Sequence, residues 1–273
     1  MGANPDPTSR EWNAGVYHRV SKPQFEWGLK VLNRLTLRGD ETVLDAGCGT
    51  GRLTAELLRR LPRGRVVALD VSRNMLRTAE EFLKPEFGDQ VSFLAADVAN
   101  LVVEHPRLAA AFDGIFSTAT FHWVLDHDCL LQNLFRALRP SGWLHAQCGG
   151  AGNLARLLRR VEALVASSKY RQFFEGYRSP WMYADAATTA ERLRRAGFVD
   201  AETSMEATPT RFDNAQAFRE FVETAIVRSY LQRIPEERLR HELLDELTQQ
   251  AAKDNPPLEI DYWRLNLRGN RPR

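Results

Sequence analysis

A chain of 273 residues, 44% hydrophobic and 26% charged, has the composition of a folded globular protein. It is long enough for one large α/β domain or for one domain with a substantial insertion. A net charge of +2 excludes a strongly basic nucleic-acid binder. No apolar run approaches the ~18 residues of a membrane span. The first ten residues, MGANPDPTSR, are polar, lack a signal core, and carry Asp6 where a myristoylation signal needs Ser or Thr. The three cysteines, Cys48, Cys129 and Cys148, form no C-x-x-C pair. Neither a structural zinc site nor a disulfide framework is expected, no metal is expected, and the chain suits a reducing cytoplasm.

From Glu41 onward strand-like and helix-like segments alternate. ETVLDAG is a short apolar run ending in glycine, and LTAELLRRL places Leu53, Leu57, Leu58 and Leu61 on one helical face. Arg59, Arg60, Arg63 and Arg65 read as the solvated end of that helix, where cations are favoured. RVVALD is a buried strand, and SRNMLRTAEEFL a helix with Ser72 at its N-cap. VSFLAAD and FDGIFSTAT are further strands, CLLQNLFRAL is a helix ended by RPSG, and WLHAQCG is a fifth strand. Repeated β–α units of this length predict a parallel sheet covered by helices on both faces. Right-handed crossovers bring all the strands' carboxyl ends to one edge. After Gly150 the rhythm breaks. Helical insertions are expected over about 150–183 and 213–255, with an aromatic stretch, KYRQFFEGYRSPWMY, inside the first. PLEIDYWRLNLRG alternates like a half-exposed strand and predicts an antiparallel edge.

The glycine loop carries the chemistry. Gly47-Cys48-Gly49-Thr50-Gly51 lies between the first strand and the first helix, but Arg52 stands where a dinucleotide fingerprint needs its third glycine. Asp45, two residues before the loop, would oppose a pyrophosphate at the helix N-terminus and attract a ligand with an ammonium group. Asp70, ending the second strand, suits the hydroxyls of a ribose. Asp97, ending the third, reads either as an acceptor for an adenine amino group or as a turn cap. S-adenosylmethionine fits this set. It has an adenosine, a sulfonium, an amino-acid tail and no phosphate.

VLDAGCGTG, VVALDVSRNML, FLAADV, FDGIFSTATFHWVLD and LRPSGWL occur in this order between Thr42 and about Cys148. As a set they resemble the class I S-adenosylmethionine-dependent methyltransferases, nearest the small-molecule branch with the trans-aconitate and malonyl-carrier methyltransferases. The resemblance implies a Rossmann-like, mostly parallel seven-stranded sheet with helices on both faces and a helical cover over the acceptor. It implies an N-terminal helical segment, residues 1–40, over the cofactor cleft, and a methyltransferase domain over 41–273. Cofactor contacts are then expected from Tyr17, Gln24, Asp45, Gly47, Cys48, Gly49, Thr50, Gly51, Asp70, Val71, Met75, Ala96, Asp97, Val98 and Thr118. Related carboxyl methyltransferases often have Ser-Asn where this chain has Ser117-Thr118, a departure that bears on the acceptor.

His122 follows the fourth strand and is the candidate base or acceptor-orienting residue. Phe173, Phe174, Tyr177, Trp181 and Tyr183 are expected to give the cover an apolar lining. No convincing acid–base pair accompanies His122, which favours an acceptor that needs little activation, such as a carboxylate, over a hydroxyl. The expected activity is methyl transfer to oxygen of a small molecule, with no nucleic-acid or membrane partner. A non-catalytic S-adenosylmethionine-binding regulator of the same fold is the alternative. A nicotinamide oxidoreductase is opposed by Asp45 and the missing glycine. Oligomeric state leaves no signal in the sequence.

Overall fold

The computed structural model describes Glu11, Trp12, Ala14, Gly15 and residues 21–273. Helix α1 (Lys22–Leu32) opens with Pro23 in its first turn and buries Trp27, Gly28, Val31 and Leu32. Strand β1 (Thr42–Ala46), helix α2 (Arg52–Arg59), strand β2 (Arg65–Asp70), helix α3 (Arg73–Phe87) and strand β3 (Val91–Ala95) follow. Ser72 caps α3 as expected, its hydroxyl accepting from the Met75 N–H. A short helix α4 (Leu101–Glu104) precedes strand β4 (Phe112–Thr118). Helix α5 (His127–Ala137), capped by Asp126, then leads into the long strand β5 (Leu138–Gly149).

Successive strand residues serve opposite faces, as the pleat requires. Val43, Val66, Ala68 and Phe116 pack with α1, α2 and α3, whereas Leu44, Leu69 and Ile115 pack in a separate core that holds Leu130, Leu134 and Leu193. The two cores are the two covered faces of one sheet.

Beyond β5 come helix α6 (Ala155–Val165), helix α7 (Ala186–Ala196) and strand β6 (Val199–Ala207). A two-residue strand β7 (Thr210–Arg211) is followed by helix α8 (Ala215–Phe221), which widens into a π turn over Val222–Ile226. Helices α9 (Arg228–Leu231) and α10 (Glu237–Ala252), strand β8 (Glu259–Ile260) and strand β9 (Trp263–Asn270) complete the chain. The seven-stranded sheet has the order β3-β2-β1-β4-β5-β9-β6, and β7 pairs with β8 apart from it. β1 to β5 are parallel, and β9 is antiparallel to both its neighbours.

The last strand differs from its sequence reading. It is antiparallel, but it lies inside the sheet and β6 forms the edge. Two of its polar positions, Arg264 and Asn266, look solvent-facing in the sequence yet are buried, while Arg268 is exposed. Asn266 accepts from Gln147 Nε2 at 2.7 Å and from an Arg34 guanidinium nitrogen at 2.8 Å, and Arg264 is buried beside Gly149 of β5.

A third core joins the late helices. Leu157 and Val161 of α6, Phe218 and Phe221 of α8, and Leu243 and Leu247 of α10 pack together with Trp27 of α1 and with Tyr262. Among the described residues, no helix is long and apolar enough to cross a membrane.

Candidate active site

The glycine loop turns between the carboxyl ends of β1 and β2. The N–H groups of Gly47 and Cys48 both donate to Leu69 O at 2.8 Å, and the Gly51 N–H donates to Cys48 O at 3.0 Å. Gly47 has φ +89°, and a Cβ there would stand 2.0 Å from Thr120 Oγ1, so the loop is pressed against the turn after β4. Gly49 also has a positive φ, +55°, but nothing lies within 4 Å of where its Cβ would be. An open cleft therefore faces bare backbone at Gly49.

Two carboxylates flank that backbone. Asp70 Oδ2 accepts from the Gly49 N–H and Oδ1 from the Ser72 N–H, both at 2.9 Å. Burial pushes its pKa up. Asp45 is 2% exposed and accepts from Thr54 Oγ1 at 2.6 Å. Burial raises its pKa to about 7, against the Thr54 bond and with help from the negative charge of Asp70. A carboxylate this costly to ionise gains from a cation brought beside it. Gln24 adds a buried Oε1 with no hydrogen-bond partner. Acceptors with open space over glycine backbone could hold a nucleoside that ends in a cation, and would repel a pyrophosphate.

The other expected contacts ring the same edge. Val71 is 41% exposed, while Met75, Ala96 and Val98 are buried. Asp97 follows β3 and its Oδ1 caps the next turn, accepting from the Ala99 N–H at 3.0 Å. Thr118 ends β4, and its carbonyl accepts from Thr120 Oγ1 at 3.0 Å. Cys48 is buried and burial holds its thiol protonated, far from nucleophilic character. Thr50 is buried in the loop. Tyr17 lies outside the described residues.

Two residues the sequence reading passed over stand at this edge. Glu11 accepts from Ser72 Oγ at 2.9 Å and from the N–H groups of Arg73 and Asn74 at 3.1 and 3.2 Å, closing the N-terminus of α3. Trp12 meets Trp123 edge-on, with ring centres 5.2 Å apart. Glu11 thus touches the start of α3, and Trp12 touches Trp123 in the turn after β4.

Past β4, beside Ala119, lies a cavity of about 50 Å³. Trp12, Trp123, Trp181 and Tyr183 wall it, and the π turn contributes Ala225 and Ile226. Trp181 stacks on Tyr183 at 6.0 Å, and Tyr183 stacks on His122 at 5.8 Å. The Met182 N–H donates to His122 O at 2.9 Å, pinning the aromatic stretch to the β4 turn. Phe173, Phe174 and Tyr177 do not line the cavity. They pack in the helical core, where Phe174 and Tyr177 meet Tyr230. They are apolar residues of an inserted segment, and the insert has its own core to fill.

His122 is 8% exposed and its Nδ1 accepts from the Gly149 N–H at 3.3 Å. That bond leaves the proton of a neutral ring on Nε2. Burial, the charge of Arg264 and His127 together push its pKa well below the usual histidine range. Burial raises the Tyr183 pKa despite its hydrogen bond with Asn153. Neither ring is arranged as a base. Among the described residues, no carboxylate lines the cavity, and no group of His, Cys, Asp or Glu is placed to hold a metal ion.

A doubly wound sheet with one antiparallel strand set between the fifth and sixth parallel ones, a glycine loop after the first strand and acids at the carboxyl ends of the first three define a Rossmann-like methyltransferase fold. Residues 43–142 match a methyltransferase domain family. A trans-aconitate 2-methyltransferase of Azoarcus sp. (strain BH72) is 37% identical over 136 residues, 50% of each chain. One of Methylobacterium nodulans is 30% identical over 197 residues, 72% of this chain and 68% of its own. The chain thus spans between half and about two thirds of the length of these relatives. The Haemonchus contortus phosphoethanolamine N-methyltransferase 2 solved with S-adenosyl-L-methionine shares the fold, with TM-score 0.61 and 18% identity over 98% of this chain and 58% of that one. The chain belongs to the class I S-adenosylmethionine-dependent methyltransferases, in their small-molecule branch, and S-adenosylmethionine is its cofactor.

Proposed function

We propose that this protein transfers the methyl group of S-adenosylmethionine to a carboxylate oxygen of a small molecule. The observation that carries this reading is the Gly149 N–H on His122 Nδ1. A ring held this way donates from Nε2 and does not take a proton. A hydroxyl acceptor needs a base in the transition state, whereas a carboxylate is already ionised at neutral pH. The trans-aconitate methyltransferase relatives agree with an acid acceptor.

S-adenosylmethionine, when bound, supplies an electrophilic methyl group and a thioether leaving group. The chain's residues bind, align and exclude water. Asp45 and Gln24 receive the cationic amino-acid end, and Asp70 the ribose hydroxyls. The small Gly49 face admits the ligand backbone closely, with Cys48, Thr50 and Thr118 around it. Ala96, Asp97 and Val98 take the adenine, and Val71 and Met75 border the ribose. Residues 1–40 cover the cofactor, a role supported by the contacts of Glu11 and Trp12. The helices of 150–183 and 213–255 cover the acceptor and keep water and macromolecules from the methyl group. The free cysteines support a reducing, cytoplasmic location.

The test is transfer of labelled methyl from S-adenosylmethionine to pooled small acids, alcohols and phenols. A base-labile methyl ester is the expected product. Transfer to hydroxyls alone would overturn the carboxylate reading, and cofactor binding without transfer to any acceptor would favour a regulator.

A further inference from the structure

Resting on the carboxylate reading above, we infer that the π turn over Val222–Ile226 is the specificity element of the acceptor cavity. Ala225 is the residue that sets the size of the acceptor, an acid with a compact body that is apolar where it meets this turn.

The sequence itself calls for the wide turn. In FREFVETAIVRSYL the buried residues fall in pairs: Phe221 and Val222, Ile226 and Val227, Tyr230 and Leu231. The step from the second pair to the third is four residues, which an α-helix keeps on one face. The step from the first pair to the second is five, which an α-helix does not. One residue has to be absorbed, and the Val227 N–H donates to Val222 O at 2.9 Å, five residues back. The apolar stripes of α8 and α9 thereby reach the same helical core. Between the first two pairs, Glu223, Thr224 and Ala225 stay half-buried. Of these Ala225 lines the cavity, with Ile226 beside it.

The turn is clamped on both sides. Before it, Phe218 and Phe221 are buried in the helical core, and Arg219 Nε donates to an Asp245 carboxylate oxygen of α10 at 3.1 Å. After it, Ser229 Oγ is hydrogen-bonded to the Tyr177 hydroxyl at 3.0 Å, and Arg233 Nε donates to Phe173 O at 2.8 Å. These bonds tie α9 and the residues after it to the aromatic stretch of the first insertion.

The rings of the cavity are held as firmly. Trp123 meets Trp181 edge-on at 5.5 Å, Trp181 stacks on Tyr183 at 6.0 Å, and Trp181 lies 6.3 Å from Tyr230 of α9. Rings packed on one another do not retreat without losing those contacts. The short side chain of Ala225 therefore decides how much room is left. The cavity, about 50 Å³, is far below the ~300 Å³ at which pockets for drug-sized ligands begin. In an apolar pocket one methylene more or less changes discrimination about ten- to two-hundredfold. A longer side chain at 225 takes up the acceptor's own volume. It does so without disfavouring the helix, because Leu and Ala are both strong helix formers.

The experiment measures transfer of labelled methyl from S-adenosylmethionine by the whole protein and by its Ala225→Leu and Ala225→Val variants. The acceptors are acetate, isobutyrate, trans-aconitate, phenylacetate and dodecanoate, with alcohols and phenols of matching size in parallel. We expect the unaltered protein to favour the compact acids over dodecanoate at least about tenfold in kcat/KM. Ala225→Leu should lower kcat/KM for the best acid at least about tenfold, and for smaller acids less than about threefold. Ala225→Val should fall between, and it carries the same test if Ala225→Leu fails to fold. S-adenosylhomocysteine affinity should stay within about twofold. The melting temperature should not fall, because the added carbons enter open space. A preference for dodecanoate, an unchanged kcat/KM for the best acid, or the same loss for every acid taken would overturn the inference and leave the carboxylate reading standing. Transfer to no acid, with or without transfer to alcohols and phenols, would overturn both.

Discussion

On the proposed cofactor side, Asp45, the glycine loop and Asp70 come from one short run of chain, two carboxylates beside bare loop backbone. On the proposed acceptor side, His122, Trp181, Ile226 and Arg264 come from four distant parts of the chain and line the cavity. The first side needs only a strand, a turn and a helix start to be in place. The second exists only when β9 has entered the sheet between β5 and β6 and the late helices have closed their own core. Changes on the first side should therefore alter cofactor binding whatever the acceptor, and changes on the second should alter acceptor selection while leaving the cofactor in place.

Gly47→Ala gives the largest expected effect on the cofactor side. Its Cβ would fall 2.0 Å from Thr120 Oγ1 at φ +89°, so the loop must move. We expect more than about a hundredfold loss of cofactor affinity together with a lower melting temperature. Gly49→Ala sharpens the point. Its Cβ meets nothing within 4 Å, so stability should fall by only about 1 kcal/mol while the cofactor's approach is blocked. Calorimetry and thermal melts on both variants decide it, and equal melting temperatures would sink the distinction.

The pH dependence comes next. Asp45 has its pKa raised to about 7, so it is mostly protonated at pH 6 and mostly ionised at pH 8. Affinity for the cationic end should rise about tenfold from pH 6 to pH 8. The sign for stability is opposite. A folded-state pKa above the unfolded one means that the folded protein binds the proton more tightly, so this contribution falls as pH rises from about 4 to about 7. The melting-temperature gain from S-adenosylhomocysteine should therefore be larger at pH 8 than at pH 6, and Asp45→Asn should flatten both trends.

Smaller effects probe the rim. Glu11→Gln removes a charge from the start of α3 and should weaken cofactor binding only a few-fold, with about 1 kcal/mol or less lost in stability. Tyr183→Phe should change kcat least, within about threefold, because its hydroxyl is not a base. A drop of a hundredfold there would give Tyr183 a role in proton transfer and break the division between the two sides.

The same division explains what could be read from the sequence. The strand–loop–helix order around Gly47–Gly51, Ser72 as a cap and a sheet covered on both faces follow from local spacing and are present in the fold, where Asp45 and Asp70 lie at the ends of β1 and β2 beside the loop. The burial of Arg264 does not show in the sequence, because β9 lies inside the sheet although its pattern is that of an edge. Alternation of apolar and polar residues in WRLNL describes an edge strand only if the polar side chains meet water. Here Asn266 meets Gln147 and Arg34, and Arg264 meets Trp27. Aromatic content in the insertion pointed to the cavity wall, but it could not separate Trp181 and Tyr183, which reach the wall, from Phe173, Phe174 and Tyr177, which fill the helical core. Nor does spacing say which nitrogen of His122 is engaged, since its partner is a backbone N–H at the end of another strand.

The most direct test of transfer without a base is the pH profile of kcat at saturating S-adenosylmethionine and acceptor acid. With a carboxylate already ionised and His122 serving as a donor, we expect kcat to be level between about pH 7 and pH 9. A rate that climbs about tenfold per pH unit across that range would mean that a proton must leave the acceptor first, and would contradict the carboxylate mechanism.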